Sequence, residues 1–113
     1  MKIIDSKTSI DEIKKMADKM FGNLIKAVVD IDKEIMAVDG ELHSDEEALL
    51  LEKNSKQENL WGINLYPEMS GKEFIEFDSM INMRPSAGNR SRGVESKETR
   101  EKIIAVVTKR VKR

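Results

Sequence analysis

Apolar residues recur at helical spacing through Ile10, Ile13, Met16, Ala17, Met20 and Phe21, which predicts an amphipathic helix over residues 10–21. Ser9-Ile10-Asp11-Glu12 reads as a capping box at its start, and Gly22 as a left-handed stop. From Leu24 the period changes to two: Ile25, Ala27, Val29 and Ile31 alternate and β-branched residues accumulate, as a strand packed on one face requires. A second strand is expected over Glu34–Val38, after a turn at Asp30–Glu34. Asp39-Gly40 is the pair that two-residue hairpins favour. Met1–Ile4 fits a short edge strand.

Ser44-Asp45-Glu46-Glu47 forms a second capping-box pattern ahead of Ala48-Leu49-Leu50-Leu51 and favours a helix over residues 45–53, although the leucine run also fits a buried strand. A polar connection, Asn54–Asn59, leads to the strand-like Leu60–Tyr66, which Pro67 ends. Ser70-Gly71 marks a turn. In Phe74–Met83, Ile75, Phe77, Ile81 and Met83 oppose Glu76, Asp78 and Asn82, the pattern of a half-exposed strand. A loop over residues 84–93 then precedes a last helix that opens near Ser96 and buries Ile103, Ile104, Val107 and Val111. These elements make an α+β fold: one domain over residues 1–113, an antiparallel sheet or meander of about four to five strands with two or three helices on one face.

Charge changes this picture more than composition does. The 113 residues carry a net charge of -1, but residues 1–83 hold 10 basic and 18 acidic side chains and residues 84–113 hold 10 basic and 3 acidic. An acidic body at -8 is joined to a basic end at +7. The absence of cysteine excludes disulfides, thiolate-bound metals and a cysteine nucleophile. No apolar run approaches the roughly 20 residues that span a bilayer, so no membrane partner and a cytoplasmic setting are expected. Asn89-Arg90-Ser91 is then a coincidental sequon.

The loop carries the strongest candidate chemistry. Arg84, Ser86, Gly88, Asn89, Arg90, Ser91, Arg92 and Gly93 lie between a strand and a helix N-terminus. Glycines let backbone amides approach an anion, guanidinium forks match phosphate oxygens, and serine and asparagine add neutral donors. Gly88 and Gly93 have P-loop spacing, but Val94-Glu95 stand where Lys-Ser/Thr would be needed, so a Walker site is rejected. In the competing reading the arginines pair with Asp78 or Glu76. Lys109, Arg110, Lys112 and Arg113 extend the positive field as a nucleic-acid footprint would, though they also suit a helix C-terminus. Trp61 and Tyr66 are the non-Phe candidates for stacking, with Trp61 better placed in the core.

The single histidine, His43, with Glu41 and Asp45, is a weak candidate metal group. Asp30, Asp32, Glu34 and Glu41 imitate an EF-hand register, but Ile35 replaces the required glycine. Asp30 and Asp32 lack the Lys or His expected beside a catalytic carboxylate pair. Nothing in the pattern calls for a cofactor.

Gly40-Glu41-Leu42-His43, Asp45, Glu46, Leu49–Leu51, Trp61–Pro67, Phe77–Asn82, Arg84-Pro85 and Gly88–Val94 together resemble a small prokaryotic family of uncharacterised proteins, carried as a domain of unknown function. The resemblance implies no activity. Asn54 stands where such relatives would have glycine, and asparagine tolerates the same left-handed helix stop. Two functions follow from the residues: a binding module for a phosphate-bearing ligand or nucleic acid, or a homo-oligomer or protein-interaction domain in which the basic end of one copy meets the acidic body of another. Catalysis is the weakest reading.

Overall fold

The structure, a computed structural model, describes residues 1–113. In chain order the elements are β1 (Lys2–Ile4), β2 (Thr8–Ser9), α1 (Ile10–Lys19), β3 (Ile25–Asp30), β4 (Ile35–Val38), α2 (His43–Glu52), β5 (Leu60–Leu65), β6 (Ile75–Glu76), α3 (Lys97–Arg110) and β7 (Val111–Lys112). Five strands form one antiparallel sheet in the order β1-β4-β3-β5-β6, and β2 pairs in parallel with β7. The α+β architecture is as expected.

The helices cover both faces of the sheet rather than one. On one face Ala27, Val29, Met36, Val38, Ile63 and Leu65 pack with Ile13 and Ala17 of α1 and Ile103 and Val107 of α3. On the other, Val28, Ala37 and Leu60 pack with Leu50 of α2. The reason lies in β3, whose Ala27-Val28-Val29 run is apolar on both sides and gains by burying both.

Local chemistry sets the element ends. The Ser9 hydroxyl accepts from the Glu12 amide at 3.2 Å, and Gly22, at φ +89°, sends its amide back to the Ala17 carbonyl. Because α1 stops at Lys19, Met20 and Phe21 are exposed rather than core. The β3–β4 hairpin closes at Ile31–Glu34, where the buried Asp30 carboxylate accepts the Asp32 and Lys33 amides at 2.9 Å each. Asp39-Gly40 is not a hairpin turn: β4 runs on into α2, and Gly40 is small because a Cβ there would lie 2.8 Å from the Glu46 Cγ.

The second capping box does not form. The α2 helix starts at His43 with Leu42 as its N-cap and no side-chain cap bond, so Ser44 lies inside the first turn. Its stop is as expected, with Asn54 at φ +72°. At the other end of the chain, Ser96 caps α3 by accepting the Thr99 amide at 3.2 Å. The helix buries Ile103, Val106 and Val107, but Ile104 is 42% exposed and Val111 leaves the helix to pair in β7.

The largest correction is at residues 74–83, where only Ile75 and Glu76 form a strand. Ser79 accepts the Ile81 amide and opens a 3-10 turn over Met80–Asn82, leaving Met80 and Met83 exposed. The buried Asn82 amide then replaces the ladder, with its Oδ1 accepting from the Gly62 N–H at 2.8 Å and its Nδ2 donating to the Gly62 C=O at 2.9 Å. A side chain thereby meets the hydrogen-bonding need of a β5 residue that a continued strand would have met with backbone. No helix is long and apolar enough to cross a membrane.

Candidate anion-binding surface

The Arg84–Gly93 loop is built around Asn89, which is buried. Its Nδ2 donates to the carbonyls of Asn82, Ser91 and Gly93, and its Oδ1 accepts the Glu95 amide. Gly88, at φ +85°, lets residues 84 and 89 close a two-way backbone bridge. The Gly93 amide is taken by the Ser91 hydroxyl at 3.2 Å. The Arg90 and Ser91 amides, which are the loop's potential anion cradle, both donate to one oxygen of Glu95. The loop thus holds an anion of its own, a carboxylate supplied two residues beyond Gly93.

Its arginines go three ways. Arg84 donates inward to the carbonyls of Gln57, Leu60 and Ile81 and stacks 4.4 Å over the Trp61 ring, and its burial pushes the guanidinium pKa down. Arg92 pairs with Asp78 at 2.6 Å, and this carboxylate holds its pKa up. Arg90 and Ser86 project from the loop with exposed side chains that make no hydrogen bond to the protein. Of the loop's polar side chains these two are wholly uncommitted, while Arg92 keeps Nη1 and Nη2 and Ser91 its hydroxyl proton. Trp61 packs against the main core, and the Tyr66 hydroxyl donates to Glu76 at 3.0 Å.

The other sequence candidates separate. No group of three His, Asp or Glu side chains comes close enough to hold a metal, so Glu41, His43 and Asp45 do not converge. The His43 Nε2 lies 2.7 Å from the Ile63 carbonyl, which makes it the protonated nitrogen, and burial lowers the ring's pKa. Asp30 is committed to its turn and to the Ser55 hydroxyl at 2.6 Å, while Asp32 is exposed. One group that the periodicity did not single out is Glu46. It is fully buried, its Oε2 accepts the Gly40 amide at 2.9 Å, and burial pushes its carboxyl up to about 9. Glu46 is therefore neutral at pH 7.

A groove of about 930 Å³ lies between α3 and the residues around β6. Phe74, Ile75, Phe77, Ile104, Val107 and Val111 form its floor. Lys72, Arg100, Lys112 and Arg113 stand at its rim, and no carboxylate side chain lines it. None of the four cations is in an ion pair. Arg100 spends Nη1 on the Val94 and Glu95 carbonyls, and Arg113 stacks 4.5 Å over the Phe74 ring while donating to the Met69 carbonyl. The Lys112 ammonium gives one proton to the Thr108 carbonyl, leaving two. The sequence signal was present in the stripe Arg100, Ile104 and Val107 of α3, continued by Val111 of β7, in which an isoleucine expected in the core lies on the groove floor.

Fold and surface together define a small α+β protein with one five-stranded antiparallel sheet, a neutral buried carboxyl and a cation-rimmed apolar groove. The chain belongs to the family described as "Protein of unknown function (DUF5674)", whose model matches residues 2–110. No curated protein and no solved structure matches it.

Proposed function

We propose that the chain is a non-catalytic binding module whose basic C-terminal third engages a phosphate-bearing partner, with the groove face as the contact surface. The observation that carries this reading is the rim: four cations free of ion pairs gathered around one apolar groove that no carboxylate side chain lines. The Arg84–Gly93 loop serves the site as a brace, since Arg100 ties the loop's end to α3. His43 spends its Nε2 proton on the Ile63 carbonyl and belongs to no cluster of three potential metal ligands. A cytoplasmic setting fits the cysteine-free composition.

The test is fluorescence anisotropy at low salt with labelled single-stranded RNA and duplex DNA, alongside calorimetric titration with inorganic phosphate. Binding is expected to weaken with salt in proportion to the phosphates neutralised. A Lys72→Glu/Arg113→Glu double variant should lose at least tenfold in affinity, while Arg90→Ala changes it less than twofold. A double variant equal to the parent would sink the proposal, as would absence of binding to all three ligands and to an alkyl phosphate. Self-association is the weaker alternative, because Lys109 and Arg110 already fold onto Glu34 of the same chain and remove part of the complementary charge. Light scattering that shows a monomer across concentration and ionic strength is the outcome expected.

A further inference from the structure

We infer that the groove between α3 and β6 holds a single amphiphilic anion, with an acyl or aryl body on the apolar floor and a phosphate or carboxylate head among the rim cations. The inference rests on the binding reading above and names the class of ligand. Three features select it. The volume of about 930 Å³ falls within the roughly 300–1,000 Å³ range of small-molecule sites. The floor is apolar beyond what an inorganic anion could use: Ile104 is 42% exposed, and Ile75 and Phe77 are half-buried there with no protein partner above them. The rim is charged beyond what a neutral lipid could use, with Lys72, Lys112 and Arg113 retaining free donors and no carboxylate side chain among the groove's lining residues.

A polynucleotide fits less well. Its backbone would run off the groove past Glu73 and Glu76, which flank Lys72 on the adjoining surface, and the Phe74 ring is already covered by the Arg113 guanidinium. A free amphiphile places its charge where the cations are and its apolar surface where the floor is, so each part of the ligand meets its own chemistry.

The experiment is calorimetric titration of the whole chain with decyl phosphate below its micellar concentration, with decanoate, decanol and inorganic phosphate as comparison ligands. Decyl phosphate should bind with one-to-one stoichiometry and decanoate should compete with it. Decanol and inorganic phosphate should each bind at least tenfold more weakly. Ile104→Glu places a carboxylate on the floor at an exposed position and should lower decyl phosphate affinity at least tenfold, with the circular dichroism spectrum unchanged. Phe21→Glu, at an exposed apolar site outside the groove, should leave it unchanged.

The inference is overturned if decanol or inorganic phosphate binds as tightly as decyl phosphate, if Ile104→Glu binds like the parent, or if several molecules bind per chain. It is also overturned if the protein sediments with phosphatidylglycerol vesicles yet leaves decyl phosphate unbound. Nucleic-acid binding that is lost in Lys72→Glu/Arg113→Glu, with no response to decyl phosphate, would overturn this inference alone and leave the broader reading standing. Silence toward every anion would remove both.

Discussion

Replacing Glu46 by glutamine should flatten the pH dependence of stability. The carboxyl is fully buried, one oxygen accepts the Gly40 amide, the other has no partner, and the nearby Asp39 opposes a second negative charge. The Gly40 amide, Lys26 and the N-terminal amine pull the other way but do not overcome burial, so the carboxyl titrates at about 9 in the fold against 4.5 ordinarily. Between those values the folded chain holds a proton that the unfolded chain has released. The stabilisation is therefore complete below about 4.5 and is lost as pH rises toward 9, at about 1.4 kcal/mol per unit. Over the three units from pH 5 to pH 8, Glu46 should remove about 4 kcal/mol. His43 acts in the opposite sense: its pKa is lowered by burial, so its contribution is lost as pH falls through the folded value. Both chains keep His43, so the difference between them isolates residue 46. Urea denaturation at pH 5, 6, 7 and 8 measures it. The stability of the parent minus that of Glu46→Gln should fall by about 4 kcal/mol across the series, and two parallel curves would refute a neutral buried carboxyl. A uniformly lower stability of the variant would not, because the glutamine amide brings an additional N–H to a site with no acceptor.

Gly62→Ala should cost about 3 kcal/mol in chemical denaturation, because the new Cβ would lie 2.5 Å from the Cβ and Oγ of Ser79 and displace the turn that carries Asn82; a loss below 1 kcal/mol would mean that the turn gives way freely. Arg84→Lys should cost about 2 kcal/mol despite conserving charge, since an ammonium cannot reach three carbonyls and stack on Trp61 together. Glu95→Ala should vacate the Arg90 and Ser91 amides, so that phosphate shifts their NMR signals in the variant and leaves the parent's unmoved.

Much of the fold was legible because local rules and tertiary packing agreed. Ser9, Gly22 and Ser96 mark helix ends by mechanisms that act within five residues, and β3, β4 and β5 carry enough apolar density to declare themselves. Residues 77–83 misled because alternation describes which side chains are apolar, not where the backbone bonds go. Ser79 captures a nearby amide and Asn82 supplies a surrogate ladder, and both are side-chain effects invisible to period. The loop's residue types suited an anion, and the anion was in the chain itself as Glu95. The groove was hidden for a topological reason: its floor joins residues 74–77 to residues 104–111, and only the order β3-β5-β6, with α3 lying across one face, makes them neighbours.

The short parallel pairing of β2 with β7 joins Thr8 to Val111 and Ser9 to Lys112, so it closes a loop of about a hundred residues. Such a contact is among the slowest to find and is entropically the least favoured until the sheet and α3 are in place. Because Val111, Lys112 and Arg113 also line the groove, the groove is complete only after that closing step. A partially folded chain would lack it. An occupant of the groove would then select for completed molecules, raise the melting temperature by mass action, and oppose fraying of the β2–β7 clasp. The clasp and the groove share Val111 and Lys112, so what steadies one steadies the other.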